Sequence, residues 1–77
     1  MANEELEAAT AGIRRAEAVR DELAAALAGA GVVLPSLGLD APTLAGYHAV
    51  PLIDLGRCNL DTARGLAAAL RAGGAPR

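Results

Sequence analysis

The chain has 77 residues, of which 53% are hydrophobic but only 1% aromatic, and its formal net charge is −2. A domain of this size buries only about 60% of the surface that its unfolded chain exposes. Because Ala and Leu supply most of the apolar content, we expect a single α+β domain that needs a partner subunit, most simply a homodimer. The slight negative charge does not favour nucleic acid as a partner.

The single cysteine, Cys58, excludes an internal disulfide and is typical of a reducing compartment. The acidic start of the chain lacks the basic and apolar regions of a signal peptide. No uncharged run reaches the length that a bilayer-spanning helix needs. We therefore expect a cytoplasmic location and no membrane partner.

Residues 1–30 are the N-terminal helical segment, and their pattern predicts one long helix from Asn3 to Ala28. Asn3 can cap this helix, and Gly29 and Gly31 are typical stop signals. Apolar residues recur at heptad spacing, which favours pairing with a partner helix or, alternatively, packing within the chain's own domain. This heptad seam consists of Leu6, Ala9, Ile13, Ala16, Arg20, Leu23, Leu27 and Ala30.

Residues 31–58 form a middle segment with little charge, since Asp40 is the only charged residue between Leu23 and Ile53. Two short apolar stretches predict an antiparallel β-hairpin. The alternative is an extended or irregular segment with short helical turns. The strands are expected at Val32–Leu34 and Val50–Leu55, with a capped helical turn at Asp40–Ala45.

Residues 59–72 are predicted to form a C-terminal helix, and residues 73–77 a tail. Asn59 or Asp61 can cap the helix, and two glycines end it. The apolar residues of this helix recur on one face. They are Leu60, Ala63, Leu66, Ala67 and Leu70.

The stretch from about residue 32 to residue 70 resembles short uncharacterised proteins of high-GC actinobacteria. The resemblance is carried by Val33-Leu34-Pro35-Ser36-Leu37-Gly38, Asp40, Pro51-Leu52-Ile53, Leu55-Gly56-Arg57-Cys58-Asn59 and Thr62-Ala63. It implies a bacterial origin, and it implies no activity, cofactor or site residue.

The turn Gly56–Asn59 leads from a predicted strand into the last helix, where backbone N–H groups and the helix dipole can hold an anion. Arg57 would add a charged donor, and Cys58 could form a redox-sensitive intermolecular disulfide. The simpler alternative is a tight turn with Asn59 as a helix cap. We identify no catalytic, cofactor-binding or metal-ligating residue, because His48 and Cys58 lack enough neighbouring ligands for zinc.

Together these patterns predict a protein-interaction or accessory module that associates with itself or another protein, and not an enzyme. The interface is expected at Leu6, Ile13, Leu23, Leu27, Val33 and Ile53. One alternative is a small DNA-associated regulator that uses Arg64 and Arg71 on the last helix. The other is a redox or anion sensor centred on Arg57, Cys58 and Asn59.

Overall fold

The computed structural model describes residues 2–40 and 50–74. Two helices flank a two-stranded antiparallel sheet, in the order α1 (Ala2–Gly29), β1 (Gly38–Leu39), β2 (Ile53–Asp54) and α2 (Leu60–Gly74). The predicted α+β class is confirmed. The predicted helical turn at Asp40–Ala45 lies, apart from Asp40, outside the described residues. In the described parts of the chain, neither helix is both long and apolar enough to cross a bilayer.

α1 runs from Ala2 to Gly29, one residue beyond the predicted helix at each end. Asn3 lies in the first turn of the helix and not before it, so the predicted N-cap was wrong. Alanine has the strongest helix propensity, and the N–H groups of a first turn need no intrahelical partner. The helix can therefore begin at Ala2 without the cap that the sequence offered.

A left-handed glycine closes the C-terminal end of α1, as the sequence predicted. Gly31 has a φ of 77°, and its N–H donates to the carbonyl of Ala28 over 3.0 Å. The N–H of Val32 donates to the carbonyl of Leu27 over 2.8 Å. The two bonds form a Schellman motif, which satisfies carbonyl groups that a helix end otherwise leaves unpaired. The chain is thereby turned back, and Val32 and Leu27 are 5% and 7% exposed.

The predicted strand Val32–Leu34 was wrong, because its backbone groups take part in two successive turns. The N–H of Val32 belongs to the end of α1, and the carbonyl of Leu34 accepts a hydrogen bond from Leu37 over 3.3 Å. Pro35 follows Leu34, where its fixed φ favours a β-turn. The first strand therefore begins only after this turn, at Gly38.

The two strands form a short hairpin-like ladder, as predicted. They pair antiparallel in the register Gly38↔Asp54 and Leu39↔Ile53. The N–H of Asp40 donates to the carbonyl of Leu52 over 3.1 Å, which extends the ladder by one residue. A two-stranded sheet is marginal by itself, and this one gains support because β1 packs against α1. β2 lies within the predicted second strand, Val50–Leu55.

Gly56 occupies a position where any side chain would collide with a neighbouring residue. Continuing the β1–β2 register places it opposite Ser36, and its φ is 73°. Its N–H donates to the carboxylate of Asp54 over 2.9 Å, which fixes the turn after β2. A Cβ added to Gly56 would overlap the Ser36 side chain and lie 3.0 Å from the Ser36 carbonyl oxygen.

Burial is confined to a small region around the end and middle of α1. Among the described residues only Ala16, Leu27 and Val32 are buried, and no side chain there is completely buried. A methyl group on Gly65 of α2 would lie 3.9 Å from Val32, so this valine also reaches the second helix. The described part of one protomer thus has a very small core, built on the turn that ends α1.

Replacing Gly56 by alanine should destabilise the fold strongly, because the new methyl group would overlap Ser36. Gly31→Ala is the matched control, since Gly31 has a similar φ but open space around its added carbon. We expect Gly31→Ala to cost about 1 to 2 kcal/mol from backbone strain. Gly56→Ala should cost about 1 to 3 kcal/mol more from steric overlap. Urea unfolding followed by circular dichroism measures both, and equal losses would contradict the close approach to Ser36.

Gly12→Ala should stabilise the protein by about 0.5 to 1 kcal/mol, because alanine favours a helix interior more than glycine does. The added Cβ would lie 3.5 Å from the Pro51 side chain, which is an ordinary van der Waals contact. Thermal unfolding at a fixed chain concentration measures the change. A lower melting temperature for this variant would mean that the methyl group collides with Pro51 or with a chain packed against the same hollow, which Gly12 also lines.

Candidate interaction surface

The six predicted interface residues do not share one exposed surface. Leu27 is buried in the protomer, as is Ala16 of the same heptad seam. Val33, by contrast, is 71% exposed. Leu6 belongs to α1, but its side chain lies outside the described part of the structure. The remaining members are half-buried, namely Ile13, Leu23 and Ile53. An interface at these residues stays a prediction.

A small cleft at the end of α1 brings two of the predicted interface residues together. Leu27 and Val33 both line it, beside Ala24 and Leu37, and its volume is about 100 Å³. Leu27 is covered by the returning chain whereas Val33 is open to solvent. Only the Val33 side of this cleft is therefore available to another molecule.

A second cleft, of about 140 Å³, lies between α1 and β2. Its lining is mainly apolar, and Val19 and Val50 are still 51% and 78% exposed. We call it the α1/β2 cleft, lined by Gly12, Arg15, Ala16, Val19, Val50, Pro51 and Ile53. It joins one member of the heptad seam, Ala16, to the predicted interface residue Ile53. The sequence pattern had not linked these residues, because they lie on different elements.

α2 is capped by Asn59, as predicted. The side-chain oxygen of Asn59 accepts a hydrogen bond from the N–H of Thr62 over 2.8 Å, and its carbonyl accepts the N–H of Ala63 over 3.0 Å. Asp61, the other predicted cap, lies in the first turn, where its negative charge suits the helix dipole. The helix ends at Gly74, two residues beyond the predicted end.

The single apolar face predicted for α2 divides into two in the structure. Leu66, Ala67 and Ala69 are half-buried, whereas Leu60, Ala63 and Leu70 are exposed. Four apolar residues of α2 follow each other at intervals of three, four and three, the spacing of a helix that pairs with a second element. We call this set the α2 outer face: Leu60, Ala63, Ala67 and Leu70. Its terminal leucines are 81% and 65% exposed. Both leucines were on the predicted face, but the sequence did not show that the protomer leaves them uncovered.

The turn Gly56–Asn59 is exposed throughout and carries the free thiol of Cys58. Two of its hydrogen-bonding groups are already used: the N–H of Gly56 by the carboxylate of Asp54, and the side-chain oxygen of Asn59 by the first turn of α2. An anion at this turn would therefore have a negative neighbour. The anion or redox site around Arg57, Cys58 and Asn59 stays a prediction.

Exposed arginines border the α2 outer face. Arg64 and Arg71 each lie four residues after a member of this face, so they stand beside it on the helix. The DNA-associated alternative that uses them stays a prediction. Within residues 2–40 and 50–74, no group of three His, Cys, Asp or Glu side chains is placed to hold a metal ion. His48 lies outside the described residues.

No protein-family model matches the chain, and no significantly similar protein is found among curated proteins or solved structures. The resemblance to short actinobacterial proteins therefore stays a prediction. The geometry of the exposed apolar surfaces is what bears on function.

Asn59→Ala should destabilise the protein by about 1 kcal/mol, because the N–H of Thr62 loses its hydrogen-bond acceptor. Asn59→Asp is the control, since aspartate caps a helix about as well as asparagine. Urea unfolding at one chain concentration gives both free energies. If the alanine variant were as stable as the wild type, the cap would contribute nothing to the fold.

Proposed function

We propose that this chain is a protein-interaction module, accessory or regulatory in role, that acts through self-association and has no catalytic activity of its own. A cytoplasmic setting, expected from the single cysteine, is part of the same proposal. The observation that carries it is the amount of surface, much of it apolar, that one protomer leaves exposed.

The exposed area is large for a protein of this mass. The chain exposes 5967 Å² of solvent-accessible surface, whereas a compact monomer of 7.7 kDa exposes about 4,300 Å². The excess is roughly 1,600 Å². A partner in a stable interface of standard size contributes about 800 Å². One protomer therefore has more uncovered surface than such an interface requires.

The shape of the protomer accounts for this excess. Its radius of gyration is 15.6 Å and its extents are 48 × 29 × 17 Å. A compact domain of the same length has a radius of gyration of about 11 Å. The long α1 helix, with 28 residues, extends beyond the small hairpin that packs on it. An elongated protomer of this kind is stabilised when a second chain covers its sides.

Large apolar side chains are prominent in the uncovered surface. Complete burial of one Val or Leu side chain contributes about 1.5 to 3 kcal/mol, so covering even a few of them would outweigh the small core of the protomer. The exposed members in the described part of the chain are Val19, Val33, Val50, Leu52, Leu55, Leu60 and Leu70.

The two alternatives have less support from the geometry. A DNA-associated role draws on Arg64 and Arg71, but the acidic Asp61 stands one turn before Arg64 on the same helix. A sensor role draws on an exposed turn in which a carboxylate already holds a backbone N–H. Neither alternative explains why leucine and valine side chains stay exposed.

Sedimentation equilibrium tests the proposal directly. At about 100 µM chain, a concentration at which even micromolar affinity gives nearly complete association, we expect a mass of at least twice 7.7 kDa. The same mass is expected with and without reductant, because apolar burial and not Cys58 holds the copies together.

A monomeric mass at that concentration would contradict the proposal. A dimer that dissociates when reductant is added would instead favour the sensor alternative. The Cys58→Ser variant provides the control, because it should associate as the wild type does.

A further inference from the structure

We infer that two copies associate reciprocally, with the α2 outer face of each copy packed into the α1/β2 cleft of the other. The inference rests on the self-association proposed above and adds the identity of the two surfaces that meet. The partner is a second copy of this chain.

α2 makes fewer contacts within the protomer than α1 does, and the α2 outer face is its more exposed side. Within one protomer α2 makes only sparse contacts with α1 and the sheet. Leu60 is the most exposed large apolar residue in the described part of the chain, and Leu70 is 65% exposed. The two alanines between them keep the middle of this face flat, so another backbone can approach it closely. A partner surface for this face should therefore be apolar and concave.

The α1/β2 cleft has these properties. It is a mainly apolar hollow in which Val19 and Val50 remain exposed. Residues of α1 form one of its sides. A helix can lie along α1 in such a hollow, with its leucines against Val19 and Val50. This is the usual way in which the side-chain ridge of one helix fills the groove beside another.

The helices that carry the two surfaces differ in their balance of charge. α1 carries six carboxylate side chains and three arginines, whereas residues 55–74 carry three arginines and Asp61 as their one acid. Arg64 and Arg71 border the α2 outer face, and the exposed Glu22 lies one helical turn from Val19. Arg15 also lines the cleft, and it is the one charge there that has the same sign as the arginines of α2. Opposite charges at the edges of an apolar contact guide its orientation.

Pairing of α2 with α2 of a second copy fits the charges less well. An antiparallel pair centred on the α2 outer face would place Arg64 beside its own symmetry mate, and like charges at such positions are destabilising. It would also leave Val19 and Val50 uncovered. The reciprocal arrangement covers both surfaces in both copies. Its two contacts would bury part of the excess exposed area of each protomer, which is roughly 1,600 Å².

Three variants that replace exposed apolar residues by glutamine test the two surfaces. Leu70→Gln alters the α2 outer face and Val19→Gln alters the α1/β2 cleft. Leu55→Gln is the matched control, because Leu55 is 52% exposed and belongs to neither surface. We expect each of the first two to raise the dimer dissociation constant at least tenfold, and the control to change it less than twofold. Circular dichroism checks that each variant keeps its helix content.

Mixing the two damaged chains distinguishes the reciprocal arrangement from every symmetric pairing of like surfaces. In a mixed dimer of Leu70→Gln with Val19→Gln chains, both substitutions fall in one contact and the other contact is intact. Because Leu70 and Val19 meet in that contact, the second substitution costs little there, and the mixture should form heterodimers at least threefold more tightly than either variant forms homodimers. Sedimentation velocity with one chain fluorescently labelled measures this association.

The outcomes separate this inference from the proposed function. A wild type that associates, with no effect of Val19→Gln or no gain on mixing, overturns the reciprocal arrangement and leaves self-association standing. If Leu70→Gln alone weakens the dimer, α2 packs on a surface other than the α1/β2 cleft and the inference is wrong. A wild type that is monomeric at all concentrations overturns both.

Discussion

The reversal of the chain at Gly31 places two of the three residues that are buried in the described part of the chain. Because Gly31 adopts a left-handed conformation, Val32 returns its N–H to the carbonyl of Leu27 and its side chain to the protein interior. The same valine lies near Gly65, so this turn also positions α2. The hairpin then depends on a second left-handed glycine, Gly56, which permits the close approach of Ser36.

The described residues bury little apolar area compared with the apolar area that they leave exposed. Alanine contributes little buried area, and among the described residues no side chain is completely removed from solvent. Folding must offset a large loss of chain entropy with apolar burial, and one protomer leaves much of its apolar area unused. The α1/β2 cleft and the α2 outer face are two places where a second copy could supply the missing burial. Structure and function are therefore linked, since the surfaces that would complete the fold are those proposed to bind.

The sequence predicted the helices well and the middle of the chain less well. Heptad spacing, the Asn59 cap and the glycine stop at Gly31 are local signals, so both helices were located to within two residues at each end. Val32–Leu34 has the β-branched content of a strand, but the helix end captures the N–H of Val32. Whether Val32 joins the helix end or a strand depends on the φ of Gly31. The amino-acid composition does not reveal that angle.

The candidate surfaces were predictable only in part. Leucines on the last helix were recognised as apolar, yet which of them face solvent depends on how α2 lies against Val32. The link between Val19 and Val50 required the fold, because 30 positions of sequence separate them. In the same way, heptad spacing on α1 did not show that Leu27 and Ala16 are used within the protomer.

The dependence of the melting temperature on dilution tests the central claim, that the fold needs a second copy, most directly. For a dimer that unfolds to separate chains of this length, each tenfold dilution should lower the melting temperature by about 4 °C. Cooperative melting at the same temperature before and after a roughly hundredfold dilution would contradict the claim.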